Sequence, residues 1–104
     1  MQNYFVDPND FEKIEIDKEI WIKIQQKISY ADSELMSGEE NAYEKGKKIL
    51  LRFIKEWNLV DKDGKIAEIT EANISKLEMS VANKILSKVS EKIINKIGLD
   101  KKKE

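Results

Sequence analysis

The sequence predicts a small α+β domain, in which an N-terminal β-hairpin packs on a bundle of two main helices and two short ones. Three observations lead to this fold class. Apolar and polar residues alternate over residues 11–28, as in half-buried strands. Apolar residues recur at the helical period over residues 39–58 and again over residues 81–97. Turn-forming residues separate these stretches, and a chain of 104 residues suits a single domain.

Composition excludes several kinds of chemistry. The chain has no Cys and no His, which rules out disulfides, zinc–thiolate sites and catalysis by thiol or imidazole. No apolar run approaches the roughly 20 residues that a membrane-spanning helix needs. The first ten residues have neither the basic nor the apolar region of a signal peptide. We therefore expect no cofactor, no bound metal and no membrane contact.

The chain divides into three parts. Residues 1–10 are expected to form an extended arm, because the proline and the Asn-Asp pair in this stretch favour extended and turn backbone. The side chains of Tyr4, Phe5 and Val6 in this arm are expected to pack against the core or a neighbour. Residues 11–98 form the single globular domain. Residues 99–104 are expected to form a disordered charged tail.

The alternation over residues 11–28 predicts the two strands of the hairpin. One face carries the isoleucines Ile14, Ile16, Ile20, Ile22 and Ile24. A lone hairpin is marginal in water, so this face must lie on the helices. Trp21 falls on the opposite face, where it would be exposed. Two explanations stay open: the N-terminal arm covers Trp21, or Trp21 contacts a partner protein.

Two helices are predicted next. Residues 29–38 predict a short helix with Ser29 as its N-cap and Gly38 just beyond its end. Residues 39–58 predict the main helix, whose apolar stripe ends at Trp57. A glycine, Gly46, interrupts that stripe at a cost of about 1 kcal/mol in helix propensity. Close approach of another element would explain it.

The second half of the chain predicts a turn and two further helices. Asp63-Gly64 indicates a tight turn with Gly64 at positive φ. A short helix is predicted over residues 71–77, and a long helix follows with Ser80 as its N-cap. Gly98 has the position of a residue that ends a helix.

Charge is distributed unevenly along the chain. Residues 1–44 contain 4 Lys and 11 Asp or Glu, a net charge of −7, whereas residues 45–104 contain 15 Lys or Arg and 9 acids, a net charge of +6. The two halves could attract each other within one molecule, or they could join copies head to tail in a homo-oligomer that weakens at high salt. A nucleic-acid surface is not expected, because Arg52 is the only arginine.

No constellation of catalytic residues is visible, and we expect no enzymatic activity. The acidic turn at residues 61–64 does not have the carboxylate spacing of an EF-hand. Phe53 and Trp57 belong to the core stripe of the main helix. The aromatic residues that remain as candidates for a protein interface are Trp21, Tyr30 and Tyr43.

Two stretches carry a resemblance to a known family. A strand WIKIQQKIS runs into SYADSELM, and a helix ends in IKEWNLVDKDGK before two more helical stretches. The residues that match are Trp21, Ser29, Tyr30, Trp57, Asn58, Leu59, Asp61, Asp63, Gly64 and Lys65. This layout, over roughly residues 11 to 97, resembles small proteins of tailed phages and prophages of the tail assembly chaperone type.

The resemblance implies a non-enzymatic protein that binds other phage proteins, chiefly the tape-measure protein, in the host cytoplasm during tail assembly. It transfers no active-site residue. The alternative is a minor structural protein of the virion at a capsid, neck or tail position. A third alternative, from another class, is a host-directed phage inhibitor whose acidic N-terminal half mimics acidic ligands.

Overall fold

Three antiparallel strands and four helices make up the part of the chain that the structure, a computed structural model, describes: residues 4–37 and 41–97. The elements in chain order are β1 (Phe11–Glu15), β2 (Trp21–Gln25), α1 (Ser33–Ser37), α2 (Ala42–Phe53), β3 (Ile54–Trp57), α3 (Glu71–Ser75) and α4 (Met79–Lys96). The sheet has the order β1-β2-β3. The predicted α+β class and the N-terminal hairpin are confirmed.

The hairpin has the face assignment that the alternation predicts. Ile14 pairs with Ile22 across the two strands, and both are buried in the core. The Asp17 carboxylate forms the turn by accepting the backbone N–H groups of Glu19 (2.8 Å) and Ile20 (3.0 Å). Because these bonds favour the ionised form, they hold the pKa of Asp17 below its usual value. Hydrogen bonds to the Asp17 side chain therefore fix this connection, which is longer than a two-residue turn and needs no glycine.

The third strand is a correction to the predicted main helix. That helix was predicted over residues 39–58, but α2 ends at Phe53 and the next four residues form β3. Ile54 pairs with Ile24 and Trp57 pairs with Ile22. The apolar spacing fits a helix equally well, so the sequence pattern could not distinguish the two. Tertiary pairing decided the outcome, because β2 would otherwise keep an open edge beside buried side chains.

The core lies between the sheet and the two long helices. Its buried apolar residues are Ile14, Ile16, Ile22, Ile24, Ile49, Leu50, Phe53, Ile54, Trp57, Ile74, Ile85, Val89 and Ile93. Helices α2 and α4 supply three of these residues each, the β1–β2 hairpin and β3 supply six, and α3 supplies one. Gly46 is buried where α4 crosses α2, and a Cβ atom at this position would lie 2.9 Å from Cδ2 of Leu86. The predicted reason for this glycine is confirmed.

Other helix ends also differ from the prediction. Helix α2 begins at Ala42 rather than at residue 39, with Asn41 as its N-cap. Helix α1 begins at Ser33, after a hydrogen-bonded turn. In this turn the Ser29 N–H donates to Asp32 Oδ2 and the Asp32 N–H donates to Ser29 Oγ, both at 3.1 Å, so the two residues cap each other. Helix α3 ends at Ser75 rather than at residue 77. Helix α4 begins at Met79, so Ser80 is inside the helix and is not its N-cap.

The turn after β3 has the predicted geometry, with Gly64 at φ +82°. The Asp61 carboxylate closes this turn by accepting the backbone N–H groups of Asp63 (2.9 Å) and Lys65 (3.1 Å). The buried Trp57 indole N–H donates to the carbonyl of Ala67 at 2.7 Å. The turn is therefore attached to the core at its base.

The acidic hairpin and the basic helix α4 face each other within one molecule. Glu12 pairs with Lys92 (3.2 Å) and Lys96 (2.6 Å), and Asp17 pairs with Lys84 (3.3 Å). The hydrogen bond from Lys96 is the main cause that lowers the pKa of Glu12. Acidic residues of the N-terminal half of the chain are thus paired with lysines of the C-terminal half within one molecule.

The aromatic residues of the N-terminal arm are not buried in the core, which was one of the two expectations, and packing against a neighbour stays a prediction. Tyr4 is 81% exposed and Phe5 is 82% exposed, so neither ring is buried in the core. Gly38, Gly98 and the predicted tail over residues 99–104 lie outside the described residues. Within the described ranges, no helix combines the length and the hydropathy that crossing a bilayer would require.

We expect Phe53→Ala to reduce the free energy of unfolding by roughly 3–5 kcal/mol, because the fully buried ring would leave a cavity. Urea unfolding measures the change. Leu51→Ala, at a position of α2 that is 37% exposed, is the control and should cost far less. A change below about 1 kcal/mol for Phe53→Ala would contradict the core assignment.

Glu12→Gln should destabilise the protein by about 1 kcal/mol at neutral pH, through loss of two partly buried ion pairs. Because folding lowers the Glu12 pKa, its contribution is present above the ordinary value of 4.5 and disappears as the pH falls through the lower folded value. Unfolding measured from neutral to acidic pH should show the wild-type and variant curves converging. Glu15→Gln, at an exposed position of β1, is the control. A difference in stability between wild type and variant that does not change with pH would contradict this account.

Candidate functional site

The three predicted interface residues lie on three different elements. Trp21 is half-buried on β2, with the ammonium groups of Lys13 and Lys23 at 4.7 Å and 5.9 Å from its ring centroid. Lysine side chains therefore lie over the Trp21 ring, an arrangement that neither of the two sequence-based explanations included. Whether Trp21 also contacts a partner stays a prediction.

Tyr30 is the most exposed of the three candidates. It precedes α1, and 96% of the residue is accessible to solvent. Its backbone carbonyl accepts a hydrogen bond from the Ser33 hydroxyl at 2.6 Å, which fixes the turn. Tyr30 therefore has an exposed aromatic surface on an ordered turn.

Tyr43 lines a groove between α2, α3 and α4, which we call the helical groove. The groove encloses about 320 Å³. Its principal lining residues are Tyr43, Gly46, Leu50, Ile74, Met79 and Leu86. Of the predicted interface residues, Tyr43 alone is among the residues that line it.

The helical groove has an apolar floor and a nearly neutral rim. Gly46 lets Leu86 approach α2, which forms the floor, while Met79 on the rim is 76% exposed. The one charged residue in the lining, Lys47, pairs with Glu71 at 3.0 Å, and the hydrogen bond to that carboxylate raises the pKa of Lys47. The groove therefore offers apolar contact without an unpaired charge.

A second groove lies between α3 and residues 57–67. We call it the hairpin groove after the turn closed by the Val60–Ile66 bridge, which is separate from the N-terminal β1–β2 hairpin. It encloses about 420 Å³. Its principal lining residues are Trp57, Leu59, Val60, Lys62, Lys76 and Leu77. It differs from the helical groove in having two lysines in its lining, and the two grooves meet at Leu77.

Sequence reasoning missed a polar group of three residues, in which the half-buried Arg52 binds two buried partners. Arg52 donates from Nε to Asp32 Oδ1 (2.8 Å) and from Nη2 to Asp32 Oδ2 (3.1 Å), and its Nη1 donates to Gln25 Oε1 (3.1 Å). Asp32 and Gln25 are almost completely buried. The lone arginine at the end of a helix was the available signal, but its partners are 20 and 27 residues away in sequence.

This polar group joins elements rather than forming a reaction centre. Its bidentate pair links the end of α2 to the turn before α1, and Gln25 adds the end of β2. Each of its polar atoms that is buried has a hydrogen-bond partner. Within residues 4–37 and 41–97, no group of three or more acidic side chains is placed to hold a metal ion.

Most of the motif residues that carry the family resemblance have structural roles. Asn58 accepts the Trp21 backbone N–H (3.0 Å) and donates to the carbonyl of Glu19 (2.9 Å), which ties β3 to the hairpin. Trp57 and Asp61 hold the following turn. The sequence matches no protein-family model, no curated protein and no solved structure.

Arg52→Leu should destabilise the protein by about 3 kcal/mol, because it leaves the Asp32 carboxylate buried without its counter-charge. Arg52→Lys should reduce the free energy of unfolding by less, since it keeps the charge but loses the bidentate hydrogen bonds to Asp32. Thermal and urea unfolding measure both changes. Lys88→Leu, at an exposed position of α4, is the control for adding a surface leucine. Equal stability of Arg52→Leu and the control would show that the polar group contributes nothing.

Proposed function

We propose that this is a non-enzymatic protein that acts by binding other proteins, with the helical groove as its principal binding surface. The observation that carries this proposal is an apolar groove of about 320 Å³ that remains open in the folded chain. Tyr43 and Met79 on its rim are 61% and 76% exposed. Large apolar side chains exposed beside a concave apolar floor are typical of protein-binding grooves.

The chemistry of the groove favours the apolar face of a partner helix. Because the single lysine in the lining is already paired with Glu71, a charged ligand would find no counter-charge there. Apolar side chains spaced three and four residues apart on a helix could enter between α2 and α4. Met79 suits such an occupant, since its flexible thioether side chain adapts to irregular surfaces.

For the biological setting we propose tail assembly in a tailed phage or prophage, with the tape-measure protein as the partner. The support is the resemblance of the Trp57–Lys65 and Trp21–Tyr30 stretches to proteins of the tail assembly chaperone type. The protein would then act in the host cytoplasm. A minor structural role in the virion is the second candidate, since an open apolar groove also suits a permanent subunit contact.

Met79→Glu tests the groove. Binding to the tape-measure protein encoded by the same phage should weaken at least tenfold, about 1.4 kcal/mol, because a carboxylate would be desolvated at the apolar contact. The free energy of unfolding should stay within about 0.5 kcal/mol of the wild type, since Met79 is 76% exposed. Titration calorimetry with purified tape-measure fragments provides the affinity.

Ser87→Glu is the matched control, because it adds the same charge at an exposed position of α4 outside the groove. Equal binding by Met79→Glu and wild type would contradict the groove assignment, and no binding by wild type would contradict the partner. Mass spectrometry of purified particles separates the two settings. A chaperone should be absent from mature virions, whereas a structural protein should be present in a fixed copy number.

A further inference from the structure

The hairpin groove has a charge that the fold does not neutralise. Lys62 and Lys76 line it, and no ion pair joins either of them to a carboxylate within residues 4–37 and 41–97. Because Asp61 is the one acid in the lining, the two lysines leave the groove with a net positive charge. An occupant of this groove should therefore carry negative charge.

The same groove also has an apolar character. Trp57, Leu59 and Leu77 contribute apolar surface to its lining. Val60 and Ile66 form a cross-strand bridge beside it, and each is 59% exposed. Because its base is fixed by the Trp57 to Ala67 hydrogen bond, this surface is held open in the folded chain. The occupant that fits best is an apolar or aromatic segment with adjacent acidic residues.

The chain itself contains a segment of that chemistry, residues 4–10, which we call the arm. Tyr4 and Phe5 are 81% and 82% exposed, and they precede the acids Asp7 and Asp10. A hydrogen bond from the Asp10 backbone N–H to the Asp7 carbonyl (3.0 Å) makes a turn that brings the two acids together at the base of the arm. Two exposed aromatic rings on one short segment represent substantial apolar area that a partner surface could bury.

The arm and the hairpin groove lie at opposite corners of the sheet. The arm enters β1 at Phe11, which pairs with Gln25 at the far end of β2. The groove begins at Trp57, which pairs with Ile22 near the start of β2 on the other edge of the sheet. Contact between the arm of one molecule and the groove of another is therefore head to tail.

We propose that the arm of one copy docks in the hairpin groove of a second copy. The Tyr4 and Phe5 rings pack on the apolar lining, and Asp7 and Asp10 face Lys62 and Lys76. The groove volume of about 420 Å³ is within the range of side-chain and ligand pockets, roughly 300–1,000 Å³. Because the two contacting surfaces differ, the contact leaves one arm undocked at one end and one groove unoccupied at the other, and it generates rings or filaments.

The experiment measures the self-association of the full chain by sedimentation velocity over a concentration series. We expect wild-type protein to associate at low salt, and the dissociation constant to rise at least tenfold between about 0.05 M and about 0.5 M NaCl as the Asp–Lys contacts are screened. Tyr4→Ser/Phe5→Ser removes the aromatic contacts of the arm. Lys62→Glu/Lys76→Glu reverses the charge of the groove. Each variant should associate at least tenfold more weakly than wild type.

Mixing the two variants gives the decisive result. The arm variant keeps an intact groove and the groove variant keeps an intact arm, so the mixture should form a 1:1 heterodimer and nothing larger. Lys18→Glu/Lys88→Glu is the control for net charge, because both lysines are exposed outside the groove, and it should associate more strongly than the groove variant.

Three results would overturn the proposal. Wild type could remain a monomer at every concentration and salt, either variant could associate like wild type, or the mixture could form no heterodimer. Circular dichroism melts establish that the variants fold, which is expected because all four substituted residues are exposed. The outcome is independent of binding at the helical groove, since Met79→Glu leaves both the arm and the hairpin groove intact.

Discussion

The structure depends on the point where α2 changes into β3 without a loop. Ile54 still donates its backbone N–H to the carbonyl of Leu50, as a helical residue would, while its own backbone already pairs with Ile24 of the sheet. One continuous segment thus contributes a face to the helical layer and an edge strand to the sheet. Phe53 and Trp57 on either side of the junction are both buried, so the helix and the strand cannot move independently without opening the core.

Side chains near this junction connect it to the rest of the molecule. Arg52, in the last turn of α2, binds Asp32 before α1 and Gln25 at the end of β2. Asn58, just after β3, binds the backbone at the start of β2, and Trp57 binds the turn that follows. These are bonds between residues that are distant in sequence, and they form only when the junction has its native geometry. Because the chain has no cysteine, these hydrogen bonds and close packing hold the elements together without disulfides.

The distribution of charge separates the inside of the fold from its binding surfaces. Lysines of α4 neutralise acids of the hairpin, and Lys47 is neutralised by Glu71 beside the helical groove. The hairpin groove keeps two lysines that no carboxylate neutralises in the described part of the chain. The two grooves meet at Leu77 but differ in charge, so they should select different occupants. One suits an uncharged apolar helix face, and the other suits an acidic aromatic segment.

The sequence alone determined the features that depend on local periodicity and local backbone chemistry. Alternation over residues 11–28 specifies the hairpin face, and the helical stripes specify the buried faces of α2 and α4. The Asp63-Gly64 pair specifies a turn with positive φ at Gly64. Tertiary structure decided the features that depend on distant partners. Ile54 and Trp57 fit a helix and a strand equally well, and the open edge of β2 selected the strand. The Arg52 group and the helical groove bring together residues that are far apart in the chain, and no local sequence pattern encodes these contacts because tertiary packing produces them.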